Sequence, residues 1–211
     1  MTTLAIAAAV VGALLGLAAD RLTTRWPAHE QDYQRRWPDW RTLFVPLAGG
    51  AVGFEVATHW TEPRDLAILA VYCTALIVLL ATDLDQRLLP DLITLPLIAF
   101  CGIVLVAGWA PPLHGKDLGL VSGLAAAAGL SMFLFVSDRL LHGELGAGDL
   151  KLAVSVGLMS GNSNGFVGMI IASVGFSVVL IALIAARRLS LKSAVPFGPV
   201  LIITGFIAVL T

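Results

Sequence analysis

The sequence predicts an all-α polytopic transmembrane bundle of about eight helices, with both termini on the outer side. Three observations carry this. Of the 211 residues, 58% are hydrophobic and only 13% charged; the mean hydropathy is +0.91; and long apolar runs recur, separated by short polar breaks. A soluble domain of this length could not hide so much apolar surface. The net charge of -1, with no dense run of Lys or Arg, gives no electrostatic basis for binding nucleic acid. Cys73 and Cys101 both fall inside apolar runs, far apart, so neither a CxxC zinc pair nor a disulfide framework is expected.

The first run, 4–19, has no basic residue before it and is followed by Arg21 and Arg25, the pattern of a retained signal anchor. Residues 20–42 form a short cytoplasmic loop whose Trp26, Trp37 and Trp40 suit the headgroup layer. Further runs follow at 43–58, 66–82, 93–109, 118–136, 150–160, 166–186 and 195–210. The run 150–160 is short, about 16 Å as a helix against a hydrocarbon core of about 30 Å. Charge decides whether it crosses. With eight crossings, 11 basic residues (Arg21, Arg25, Arg35, Arg36, Arg41, Arg87, Arg139, Lys151, Arg187, Arg188 and Lys192) share one side and only Arg64 and Lys116 lie opposite. Without that crossing the split falls to 8 against 5, a poorer fit to the positive-inside rule. Eight spans are therefore expected, with the turn after the short one at 161–164.

This orientation places Asp83, Asp85, Asp91, Glu144 and Asp149 at the cytoplasmic ends of helices. Asp83 continues directly from an apolar helix, at a C-terminal end where the dipole opposes negative charge. Asp85 is expected as a solvated or supporting carboxylate. Pro90 and Asp91 open the next helix, where the acid can cap free N–H groups. Gly143, Gly146 and Gly148 lead to Asp149 at another helix start, followed by Lys151. A dinucleotide fingerprint does not fit, since no third glycine stands at the required spacing. Two carboxylates at one membrane face are the minimum equipment of an aspartyl protease. They cannot both ionise cheaply, so one holds a proton while the other activates water.

At these residues the chain resembles the type IV prepilin peptidase family of GxGD aspartyl proteases. Asp83 with Pro90 and Asp91 matches the family's first motif. Gly146, Gly148, Asp149, Lys151 and Leu152 match GxGDxKL, and PFGP at 196–199 is a third likeness. The resemblance implies one integral-membrane peptidase domain over 1–211, located in the inner (cytoplasmic) membrane. Its catalytic residues would be Asp83 and Asp149, with Pro90, Asp91, Gly146, Gly148, Lys151 and Glu144 in support. The substrate would be a prepilin-like membrane protein, cut between its leader and its apolar helix. Many bacterial relatives carry paired CxxC motifs in the loop after the first helix, which bind zinc and accompany N-methylation. Residues 20–42 contain no cysteine, so no metal or other cofactor is expected, and the resemblance extends to peptide cleavage without assured methylation. The alternative reading is a proton- or cation-coupled transporter using Asp83, Asp149 and Glu55 as a path. A serine protease would need a His beside a Ser, and His59 and His114 are expected on the outer side.

Overall fold

A computed structural model describes residues 2–26, 39–114, 118–140, 146–185 and 198–210. These form seven α-helices: α1 (Thr2–Thr23), α2 (Trp40–His59), α3 (Pro63–Gln86), α4 (Asp91–Val106), α5 (Gly119–Leu140), α6 (Ala147–Ala185) and α7 (Gly198–Leu210). A short 3-10 turn, Pro111–Leu113, follows α4. Among the described residues, four segments are long and apolar enough to cross a membrane: Thr3–Thr23, Pro63–Gln86, Asp91–Leu113 and Gly119–Arg139. The chain is a multi-pass helical membrane protein.

Seven helices stand where about eight were expected because α6 holds two of the expected runs in one element. Gly161 breaks it, with φ 71 and ψ -178, a region open almost only to glycine. The chain reverses there. Val156 before the break and Gly168 after it both pack on the same stretch of α7, at Gly205 and at Thr204 respectively. In a straight helix those two positions would lie about 18 Å apart. The turn expected at 161–164 is thus present, held by the Asn162 N–H donating to Ser122 Oγ at 2.8 Å.

Successive passes are antiparallel. Along α1 and α2, Gly12 faces Gly49 and Ala8 faces Gly53, so tightly that a Cβ on any of the three glycines would strike the opposing backbone carbonyl. Small residues at this spacing replace the hydrophobic drive that lipid removes. At the centre lies α3, with 61% of its apolar stretch buried against 28 to 33% for the other long spans. Its Leu69, Tyr72, Leu76 and Leu79 pack with Leu152, Val156 and Met159 of α6 and Leu201 and Ile202 of α7. Two hydroxyls in this core bond within their own helices: Ser160 Oγ donates to the Val156 carbonyl at 2.6 Å and Thr204 Oγ1 to that of Val200 at 2.8 Å, as a medium without water favours, whereas the buried Tyr72 hydroxyl has no partner among the described residues.

The helix ends gather into two groups. One holds the ends of α1, α3 and α5 and the starts of α2, α4, α6 and α7; it will be called the site end. Among the described residues, Arg21, Arg25, Arg41, Arg87, Arg139 and Lys151 lie there and Arg64 lies opposite. Helix α1 extends to Thr23 and α2 starts at Trp40, so the connection is shorter than the 20–42 loop expected. Of its tryptophans, Trp40 is exposed and packs its ring against Phe44, the centroids 5.9 Å apart, and Trp37 lies outside the described residues.

Candidate active site

Helix α3 runs one turn past its apolar stretch, carrying Asp83 in its last turn before Arg87 stops it in the left-handed conformation, φ 55. The Arg87 N–H donates to the Asp83 carbonyl at 2.9 Å. Asp83 itself is only 4% exposed. Its Oδ2 has no hydrogen-bonding partner among the described residues, a costly state for a polar atom. It is the kind of atom that awaits a water or a substrate.

Asp149 comes from the first turn of α6. Its N–H donates to the Gly146 carbonyl at 3.0 Å, and Gly146 returns its own N–H to Asp149 Oδ2 at 3.3 Å. The carboxylate thus reaches back over the helix start as the acid of a capping box does. The charges that act on Asp83 include that of Asp149, which repels it, and that of Arg87, which attracts it. The buried Asp83 lies at the end of α3 and the half-buried Asp149 at the start of α6.

Three separated motifs converge on this pair. Gly148 lies against Leu89 in the 87–90 connection; a Cβ there would stand 2.8 Å from Leu89 Cβ and 3.2 Å from its carbonyl oxygen. Pro90 forms the N-cap of α4 with φ -64 and ψ 132. Gly198 opens α7 directly against Asp83, since a Cβ on it would lie 2.5 Å from Oδ2 and 2.7 Å from Oδ1. The start of α7 therefore forms one wall of the carboxylate's space.

Two expected supports take different roles. Asp91 is the first residue of α4, behind an N-cap, Pro90, that makes no side-chain capping bond. It accepts instead from Lys151 Nζ at 2.6 Å, tying the start of α4 to the start of α6. Lys151 therefore bridges two helices where it could have snorkelled alone. Asp85 is no solvated carboxylate: it pairs with Arg41 at 2.7 Å, with 7% of its side chain exposed. Glu144, Pro196 and Phe197 lie outside the described residues.

Other acids sort away from the pair or were not foreseen. Asp20, 4% exposed, accepts from Thr42 Oγ1 at 3.0 Å and joins α1 to α2 at the site end. It went unnoticed because it stands beside basic residues at a span boundary. Glu55 lies at the opposite end, bonded to His59, so it forms no path with the aspartates and the transporter reading loses its third carboxylate. At that same end Arg64 donates to His114 Nε2 at 2.8 Å, while His114 Nδ1 lies 3.5 Å from the buried Asp65. Neither described histidine approaches the site end. Among the described residues no cluster of three His, Cys, Asp or Glu is placed to hold a metal.

Residues 70–191 match the profile of the Type IV leader peptidase family. The chain is 31% identical over 192 residues to the prepilin leader peptidase/N-methyltransferase of Pseudomonas putida, covering 90% of this chain and 63% of that protein. Against the protein of the same name from Bacillus subtilis it is 34% identical over 140 residues, covering 64% of this chain and 52% of the relative. The Aeromonas salmonicida counterpart is 32% identical over 170 residues, covering 80% and 56%. The chain thus spans less than two thirds of the length of these curated relatives. No solved structure matches it.

Proposed function

Because the chain belongs to the type IV leader peptidase family, we propose that it is an aspartyl endopeptidase that removes the leader from prepilin-like membrane proteins. What supports this reading is that Asp83 and Asp149 both lie at one end of the bundle and act on each other electrostatically, one buried with an unpartnered oxygen and the other anchored by Gly146. One carboxyl holds a proton that it donates to the scissile carbonyl oxygen. The other, ionised, takes a proton from water as the water oxygen bonds to the carbonyl carbon. Collapse of the tetrahedral species breaks the C–N bond as the carboxyl that took the water proton passes it to the leaving amine, and a proton of the former diol returns to the other carboxylate. The pair titrates as a unit, so no proton is assigned to either residue.

A substrate whose scissile bond lies at the junction of a polar leader and an apolar helix would present that bond at the depth of a helix end, where the two aspartates stand. The described basic residues gather at the site end, which supports a cytoplasmic active site in the inner membrane. A reporter fused in the 87–90 connection tests the orientation; an external signal there contradicts it. The catalytic test is leader removal from a co-expressed prepilin by wild type, Asp83→Asn and Asp149→Asn. Each variant is expected to lose about 10²- to 10⁴-fold in rate, the usual worth of a positioned acid or base. Unimpaired cleavage by either one sinks the pair. Proton-coupled uptake by wild type, without cleavage, would return the transporter reading.

A further inference from the structure

Helix α2 is tied to the end of α3 by a side chain of its first turn. Arg41, in the first turn of α2, extends to the end of α3, where its Nη1 donates to the Leu84 carbonyl at 2.5 Å and to Asp85 Oδ1 at 2.7 Å. Only 16% of the Arg41 side chain and 7% of that of Asp85 is exposed, so water screens this pair far less than a surface bridge. The bonds fall on the two residues immediately after Asp83. They also fall on the C-terminal turn of a helix, whose last carbonyls lack intrahelical partners and favour a cation. Arg87 N–H takes the Asp83 carbonyl, and Arg41 takes the next. Around Arg41 the end of α1 and the start of α2 are also tied together and to α3. Thr42 donates to Asp20, and Gln86 Nε2 reaches the Thr23 carbonyl at 3.4 Å.

The Asp83 carboxylate is aimed by backbone. Its Oδ2 has no hydrogen bond to hold it, and Gly198 beside it offers no side chain. The direction of the carboxylate therefore follows the course of the last turn of α3, and that turn is pinned at Leu84 and Asp85. We infer that Arg41, with Asp85 as its counter-charge, is a positioning residue that holds the last turn of α3 so that Asp83 faces Asp149. A guanidinium suits this because its planar fork engages a carbonyl and a carboxylate together, which a single ammonium cannot do in a fixed geometry. The inference rests on the aspartyl endopeptidase reading.

The test uses the purified full chain in lipid nanodiscs, with a prepilin-like substrate. It compares Arg41→Gln, Arg41→Lys, Asp85→Asn and the double variant of Arg41→Gln with Asp85→Asn. A mispositioned group of this kind costs up to about 100-fold, so Arg41→Gln is expected to lower kcat by about 10- to 100-fold. KM should stay within about twofold, since the contact acts on the transition-state geometry and not on uniform binding. Arg41→Lys should recover part of the rate, and the double variant should be no slower than Arg41→Gln, as residues sharing one contact are non-additive. Wild-type kcat in both Arg41 variants, a loss confined to KM, an additive double variant, or failure of both Arg41 variants to fold would each overturn the inference. Cleavage by Asp83→Asn or Asp149→Asn, or no cleavage by wild type, would instead bring down the reading on which it rests.

Discussion

Replacing Gly198 by Ala puts one methyl group where the Asp83 carboxylate now lies. An ideal Cβ would stand 2.6 Å from Asp83 Cγ, and ordinary contact begins at 3.4 Å, so the carboxylate or the start of α7 must give by about 0.8 Å. Crowding of this kind costs about 1 to 3 kcal/mol in a packed interior. The displacement itself is the larger matter for chemistry, because a shift near 1 Å in a reacting group can cost about 100-fold. Gly198→Ala is therefore expected to retain its fold, with a lower unfolding midpoint, and to lose about 10- to 100-fold in kcat for leader removal. Gly102→Ala is the matched control. It is also a helical glycine, in α4, but a Cβ there meets nothing within 4 Å. That change should leave the rate alone and add up to about 1 kcal/mol of stability through helix propensity. Wild-type kcat in Gly198→Ala would show that α7 does not confine Asp83, and the three-motif description of the site would fail.

Gly161→Ala should be severely destabilising. Its backbone lies where glycine is nearly obligatory and its Cβ would strike Leu113 and Ser122, so about 2 to 5 kcal/mol is expected in reversible unfolding from bicelles. A loss below about 1 kcal/mol would mean the turn can be rebuilt without positive φ. Asp91→Asn breaks a bridge whose partners are 60% and 32% exposed; it should cost less than about 1 kcal/mol, and less again in high salt. Metal chelators should leave leader removal unchanged, since the proposed chemistry needs only two carboxyls and a water. Activity lost to a chelator and restored by zinc would contradict it.

Much of this arrangement is legible in the sequence, for identifiable reasons. Bilayer thickness fixes how many apolar residues a span needs, so the spans emerge from composition alone. Asp83 is conspicuous because an acid at the C-terminal end of an apolar helix has no inexpensive local explanation. Asp149 becomes so beside its glycines, and the turn at 161–164 is written in Gly, Asn and Ser. What the sequence conceals are contacts whose partners are remote. Arg41 and Asp85 are 44 positions apart, yet one precedes the run 43–58 and the other follows the run 66–82. Placing both runs antiparallel could have paired them. Asp91 carries a local signal for capping that a lysine 60 positions away overrides. Gly198 belongs to a recognisable PFGP, but nothing in four letters says that its missing side chain leaves room for the Asp83 carboxylate.

The reversal at Gly161 and the aspartate pair are linked by parity. Every pass flips the end at which the next begins. Asp83 closes the third pass, Asp149 opens the sixth and Gly198 opens the eighth, and ends of odd passes share a side with starts of even ones. If α6 continued straight through Gly161 one pass would vanish, and α7 would begin at the opposite end, about 20 Å or more from Asp83. One glycine conformation thus decides whether the third motif reaches the pair. The same break leaves the first arm of α6, 147–160, only about 21 Å long, short of a hydrocarbon core of about 30 Å. Protein absorbs that shortfall where lipid could not. Pro111–Leu113, buried throughout, follows α4 over the turn, with Leu113 against Gly161, and Ser122 accepts the Asn162 N–H, so non-helical backbone below the bilayer surface finds partners.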